Sequence, residues 1–513
     1  MKKIISGIVC MAFTLSSMAV PGNVIADAVN LETVSTINAT DPGTLENGLA
    51  YETYEDHVEI TGCSTSAEGE IIIPDTIQGL PVTSISVFAF DNCSSLTSVI
   101  IPDSVVEIGW SAFNFCVALQ SVTIPDGVTS IGTLTFSGCK SLESVTIPDS
   151  VTSIGERAFS DCYALQSISI PKNVTEIWGS AFSNCTSLAE IRVDPENQNY
   201  MDMDGVLFSN DQTELHCYPA GKSDQAYTIP EHVANISDCA FYGCSSLTSI
   251  TIPESVTSIG NSAFYGCQSL ESIAIPDGIK DIKDNTFSRC FALQSVTIPD
   301  RVTRIGLKAF WDCSALASIT IPDGVTRIDE DAFEHCSALT SVTIPESVTS
   351  IGSRAFFGCS SLEGIYVDPK NQNYMDRDGI LFSKDQKILL QYLPQKSEQS
   401  YSIPDGVTSI EERAFSDCSA LRSVTIPDSV TDIGNYAFYQ CEKLESVTIP
   451  AHVTNIELCA FYCCFSLESA TILNPDCEID DNKKTISDTA VIYGYPGSTA
   501  QAYAEKYNRE FIA

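Results

Sequence analysis

Ile147-Pro148-Asp149-Ser150-Val151-Thr152-Ser153-Ile154-Gly155-Glu156-Arg157-Ala158-Phe159-Ser160-Asp161-Cys162-Tyr163-Ala164-Leu165 is one copy of a unit that this chain repeats. Ile-Pro followed by an acid returns at Ile124-Pro125-Asp126, Ile252-Pro253-Glu254, Ile298-Pro299-Asp300 and Ile344-Pro345-Glu346, and uninterrupted copies are 23 residues apart. Ala-Phe-x-x-Cys-x-x-Leu keeps the same rhythm, as in Phe159, Cys162, Leu165 and Phe264, Cys267, Leu270. Fourteen Phe/Cys pairs run from Phe90/Cys93 to Phe461/Cys464.

The unit translates into structure piece by piece. Leu142 to Ile147 alternates as a short strand, with Leu, Val and Ile inward and Thr146 outward. Pro148-Asp149-Ser150 is turn chemistry, and proline ends the strand because it cannot donate to a ladder. Val151 to Ile154 is a second extended segment, Gly155 permits a bend, and Glu156 to Cys162 is expected to form a helical turn that buries Phe159. The half-dozen apolar side chains of one unit cannot offset the entropy of ordering 23 residues. The units must therefore stack, with strands about 4.8 Å apart, as a solenoid.

The pattern Ile-Pro…Val-x-x-Ile…Ala-Phe-x-x-Cys-x-x-Leu resembles the BspA-like leucine-rich-repeat proteins, surface proteins common in anaerobic bacteria. The resemblance implies an α/β repeat solenoid, a curved right-handed ribbon of coils with a parallel β-sheet on its concave side. It also implies adhesion to host proteins or other cells, a role reported for some members. A fold of this kind hosts many roles, so the functional implication is the looser of the two.

Two interruptions break the rhythm and match each other. Phe182 to Phe241 and Phe356 to Phe415 are both 59 residues apart, 36 more than one unit. Val193-Asp194-Pro195-Glu196-Asn197-Gln198-Asn199-Tyr200 parallels Val367-Asp368-Pro369-Lys370-Asn371-Gln372-Asn373-Tyr374, and hairpin-like sequence follows each. The expected organisation is a signal peptide at 1–28, an N-terminal cap at 29–62 and repeats at 63–192. A hairpin-containing insert at 193–229, repeats at 230–366 and a second such insert at 367–403 follow. Repeats at 404–479 and a C-terminal cap at 480–513 complete it. Leu49 to Tyr54 and His57 to Thr61 are expected to pair as a hairpin in the first cap, and Ala500 to Tyr507 to be helical in the second. Lys2, Lys3, the apolar stretch Ile4 to Val20 and Ala26-Asp27-Ala28 compose the signal. Export and a secreted or cell-surface location follow, with no membrane span after its removal.

Composition narrows the partners. With 27 Lys+Arg against 66 Asp+Glu, a net charge of −39 argues against nucleic acid or an anionic bilayer. Five histidines in unrelated contexts, no nucleophile motif and no phosphate-binding glycine loop leave no candidate catalytic residue and no cofactor, so no enzyme is expected. Of 21 cysteines, fourteen occupy one column that should face inward. There neighbouring Cβ atoms sit near the 4.8 Å rung spacing rather than the ~3.8 Å of a disulfide, so reduced, buried thiols are expected and a zinc site is not.

What remains is surface. The residue after the repeat Phe is aromatic at Tyr242, Tyr265, Trp311, Phe357, Tyr439 and Tyr462. These six are the candidate partner-binding residues, either as an exposed stripe or as rings packed over neighbouring coils; Trp110 and Trp178 depart from the consensus at turn positions. Twelve of fourteen Ile-Pro sites are followed by Asp or Glu, a column that suits either the turn or a weak calcium edge. Asp202-x-Asp204-Gly205 and Asp376-x-Asp378-Gly379 contain part of a calcium loop, with Tyr200 or Tyr374 where the first carboxylate belongs. The leading expectation is a secreted interaction protein presenting a solenoid face to an extracellular protein or glycan; the alternative is a structural spacer.

Overall fold

In residues 41–513, the part of the chain that the computed structural model describes, each unit makes one coil with three sides. The leader expected at 1–28 and the start of the first cap lie outside the described residues. On the first side, Ser121–Thr123 and Ser144–Thr146 pair in parallel, with Ser144 opposite Ser121, Val145 opposite Val122 and Thr146 opposite Thr123. On the second, Ser130–Ile131, Ser153–Ile154 and Glu176–Ile177 pair in the same register. A 23-residue step with no register shift stacks identical residues, so Thr152 Oγ1 donates to Thr129 O and Thr175 Oγ1 to Thr152 O, both at 3.2 Å.

The third side differs from the helical turn expected over Glu156 to Cys162. It is a run of turns in which backbone donors alternate between their own coil and the next. Ala158 N donates to Gly155 O (3.2 Å) and Ser160 N to Arg157 O (3.1 Å), while Phe159 N reaches Ala181 O (2.9 Å) and Asp161 N reaches Ser183 O (3.0 Å). A helix would spend every donor internally; here half of them form a third ladder between coils. Turning the chain this way places Arg157 (φ 53°) and Asp161 (φ 60°) in the left-handed region, and their equivalents repeat it along the array. Gly155 is required for a different reason, since a Cβ there would lie 2.6 Å from Thr133 N in the coil before. Among the described residues, α-helix is confined to Thr499–Lys506, capped by Ser498, whose hydroxyl accepts from Gln501 N.

The core consists of columns. Val151, Ile154, Phe159, Cys162 and Leu165 are all fully buried, and their counterparts repeat this in every block. The Phe rings stack face to face, from Phe90–Phe113 at 4.8 Å to Phe159–Phe182 at 5.9 Å. All fourteen column cysteines are buried. In eleven of them, from Cys116 to Cys464, Sγ donates at 3.0–3.2 Å to the carbonyl of the Phe 26 residues earlier. Their thiols are held neutral mainly by burial, as at Cys139 and Cys313.

Each insert contributes a hairpin that stands across the core. Tyr200–Met203 pairs antiparallel with Val206–Ser209, which pairs antiparallel with Glu214–Cys217, and this last strand resumes parallel pairing with Asn235–Ile236. Alternation along Val206–Ser209 sends Leu207 into the core on the N-terminal side and Val206 and Phe208 into the middle core. In the second insert Leu381 joins the middle core while Ile380 and Phe382 join the C-terminal one. The apolar interior is thus divided into three by two septa. Tyr218 and Tyr392 continue the ring column on the far sides, 5.3 Å from Phe241 and 4.9 Å from Phe415.

One side chain holds each septum in place. Asn371 is fully buried; its Nδ2 donates to Pro345 O (2.8 Å) and Val348 O (2.9 Å), and its Oδ1 accepts from Asn373 N (2.8 Å) and Tyr374 N (2.9 Å). Asn197 makes the same four bonds in the first insert. The tyrosines so positioned accept from the strand edge the hairpin interrupts, Tyr200 Oη from Ile177 N (2.8 Å) and Tyr374 Oη from Ile351 N (2.9 Å).

At the N-terminus the expected hairpin is present as Leu49–Thr53 and Val58–Cys63, with Asp41–Thr44 added outside it. Val58–Cys63 then pairs in parallel with Leu80–Ile85 and joins the cap to the coils.

Candidate functional site

The third side is where side chains vary. Its buried Ala and Phe are flanked by four positions, two after the repeat Gly and two after the repeat Phe, that turn toward the edge. Small polar residues directly after Phe, such as Ser137 and Ser288, are buried. An aromatic ring at that position must therefore extend outward over a neighbouring coil.

The six candidate aromatics follow that geometry. Five are half-buried and Phe357 is buried. Tyr242 and Tyr265 stack at 4.6 Å with planes 14° apart, and Tyr439 lies 5.8 Å from Tyr462. Trp311 sits under Arg289 (5.2 Å) and Lys308 (5.6 Å). Arg413 covers Phe357 at 4.2 Å and also faces Tyr436 (4.7 Å) and Tyr439 (5.5 Å), joining rings on both sides of the second insert. Lys484 closes the row, 4.6 Å over Tyr462 and bonded to its hydroxyl at 3.0 Å. The six residues thus form separate groups along one edge, each covered by its neighbours.

More open rings than these six lie elsewhere on this edge. Trp110 and Trp178 are 49% and 59% exposed. Trp110 rests edge-on against Phe88 at 4.4 Å. Exposed Phe115 lies over Gly138, where a Cβ would come within 2.6 Å of the ring. Trp110 and Trp178 were visible as departures from the repeat; Phe88 and Phe115 occupy columns of mixed composition, among them Leu134 and Gly138, and only the edge geometry singles them out. All three tryptophans of the chain stand on this side. The outward face of the first sheet, by contrast, presents Ser121, Thr123, Ser144 and Thr146.

A charged network supports the middle of the edge. Arg354 grips buried Asp331 with two bonds (2.7 and 2.9 Å), and reaches Glu330 (2.6 Å) and, across the second insert, Glu412 (3.4 Å). Glu334 lies beside Asp331; burial, with the Asp331 charge second, pushes its carboxyl from 4.5 to about 7. The folded protein thus holds a proton that the unfolded chain releases, so this group's contribution to stability is full below pH 4.5 and is lost as pH rises through about 7. Glu334→Gln should raise the melting temperature at pH 8 and change it little at pH 5. An equal shift at both values would place the effect outside this titration.

The hairpin aspartates do not form a calcium loop. Asp204-Gly205 and Asp378-Gly379 are two-residue turns with positive φ at both positions. Asp202 and Asp376 accept from Val193 N and Val367 N at 2.8 Å. Among the described residues no three His, Cys, Asp or Glu side chains gather to hold a metal ion, and no helix is long and apolar enough to cross a membrane.

A family model described as a BspA type leucine rich repeat region matches residues 71–212, 217–337, 280–378 and 391–485, in six copies. The chain belongs to this family. Among solved structures, a leucine rich cell surface protein from Faecalibacterium prausnitzii is 31% identical, with 64% of this chain and 96% of that one covered and a TM-score of 0.46. A leucine-rich repeat protein from Bacteroides ovatus is 25% identical, with 88% and 99% covered and a TM-score of 0.41. A leucine-rich repeat protein from T. pallidum is 30% identical over 44% of this chain and 90% of that one, TM-score 0.31. No curated protein matches. The BspA-type repeat accounts for the stacked Ile-Pro turns and the Phe and Cys columns, and leaves the edge residues free to differ from coil to coil.

Proposed function

We propose that this BspA-type chain is a secreted or cell-surface binding protein whose third side holds an extracellular protein or glycan. The observation that carries this reading is the concentration of all three tryptophans, with Trp110 and Trp178 open to solvent, on one edge of the solenoid. Tryptophan combines a large apolar face with one donor and is over-represented where partners are gripped. A spacer needs no such edge, and the Ser/Thr face of the first sheet is what a spacer surface would resemble. The net charge of −39 favours neutral or basic partners. Weak calcium, where it binds, is assigned to the acidic Ile-Pro turns, since Asp202 and Asp376 of the hairpins are committed to backbone.

The test uses the exported chain and a Trp110→Ala/Trp178→Ala variant against a glycan array and a panel of extracellular-matrix proteins. Binding by the parent should fall at least about tenfold in the variant, the loss expected of a buried aromatic anchor, with melting unchanged. Silence of the parent on both panels, or equal binding by both proteins, would leave the spacer reading.

A further inference from the structure

Eleven thiols of the cysteine column share one kind of acceptor, the Phe carbonyl 26 residues back; after the inserts Cys244 lies instead 3.6 Å from Tyr218 O and Cys418 3.6 Å from Ser416 O. The rule also fails at the first rung. For Cys93 that position falls at Ala67, in the turn that leaves the cap, and Cys93 Sγ instead lies 3.6 Å from Ser64 O and 3.8 Å from Cys63 O. These contacts are longer than the 3.0–3.2 Å of the eleven Phe-bonded thiols, so the Cys93 proton is held more loosely than theirs.

The other thiol at this rung is Cys63. Pairing between Val58–Cys63 and Leu80–Ile85 stops at Ile60 opposite Ile85, so Gly62 and Cys63 run on past the coil's second side. Cys63 Sγ also points at Ser64 O, again at 3.6 Å. Both sulfurs therefore converge on one carbonyl oxygen. Cys63 is half-exposed whereas Cys93 and the rest of the column are buried. The Cys93 thiol beside it holds the Cys63 thiol below its ordinary range, which supplies thiolate at the one position of the pair that solvent reaches.

We propose that Cys63 and Cys93 form a disulfide that staples the N-terminal cap to the first coil, while the column beyond remains as thiols. The oxidant is a small-molecule disulfide. The Cys63 thiolate attacks one of its sulfurs, forming a mixed disulfide and expelling one thiolate, which takes up the Cys93 proton. Cys93 sulfur then attacks Cys63 Sγ, expelling the second thiolate. Two protein thiols and one external disulfide become one protein disulfide and two external thiols. The same exchange cannot run down the column, where no thiol reaches solvent and the rung spacing exceeds the Cβ–Cβ distance of about 3.8 Å that a disulfide prefers.

The experiment incubates the reduced full chain with oxidised glutathione, blocks remaining thiols with an alkylating reagent in denaturant, and maps peptides by mass. The expected result is one cross-linked Cys63/Cys93 peptide pair, lighter by two hydrogens, with the column cysteines alkylated. Oxidation should raise the melting temperature of the parent and leave Cys63→Ser unchanged. Cys93→Ala should arrest at the first step, with glutathione retained on Cys63. A stable glutathione adduct on Cys63 in the parent, a cross-link to any other cysteine, or no loss of thiols would overturn the proposal.

Discussion

Phe310→Ala is expected to destabilise the middle block by about 3–5 kcal/mol, the range for emptying a fully buried phenylalanine site. Phe310 is fully buried and stacked between Phe287 at 5.4 Å and Phe333 at 5.3 Å, so the cavity would lie inside the column with rings on either side unable to close it. The location of the damage is as informative as its size. In an undivided solenoid a weakened coil loosens its neighbours by degrees in both directions. Here the hairpins Tyr200–Met203/Val206–Ser209 and Tyr374–Arg377/Ile380–Ser383 divide the interior. Amide exchange should therefore accelerate between residues 206 and 393, while the Phe90–Phe182 and Phe415–Phe461 stacks stay protected. Even loss of protection across all three cores would contradict the division.

Asn371→Ala is the second large effect, about 4 kcal/mol if each of its four hydrogen bonds is worth about 1 kcal/mol. The orphaned groups are buried backbone, which makes the loss dearer than four exposed bonds would be. Asn371→Asp separates the two halves of the role, because a carboxylate still accepts from Asn373 N and Tyr374 N but cannot donate to Pro345 O or Val348 O. It should fall between the parent and the alanine variant in chemical denaturation. A cost below about 1 kcal/mol for Asn371→Ala would mean that water replaces the side chain.

The repeat could be read almost completely because each structural demand recurs fourteen times. Phe159, Cys162 and Leu165 could be assigned to the interior from spacing alone, and the Pro148 turn from its chemistry. The third side was misread for a physical reason. Whether Phe159 N bonds within its own turn or to Ala181 O depends on the neighbouring coil, and left-handed residues such as Arg157 and Leu134 carry no local mark of that conformation. The inserts were legible as hairpins, whereas the burial of Asn197 and Asn371 was not, since a single amide in Asn-Gln-Asn-Tyr looks like loop chemistry. The candidate edge was half legible. Its aromatic residues stood out by type, but their exposure follows from what stacks above them, as Arg413 does over Phe357.

Because every coil advances the same step, the edge is graduated like a ruler. Trp110 and Trp178 follow second-side strands three rungs apart, Glu107–Ile108 and Glu176–Ile177, which sets the two coils roughly 14 Å apart along the stack at about 4.8 Å per rung. Gain or loss of one 23-residue copy between them would lengthen or shorten that interval by a single graduation and leave every column continuous. Lineages carrying such arrays can adjust the reach between two gripping points by recombination alone, without redesigning either grip.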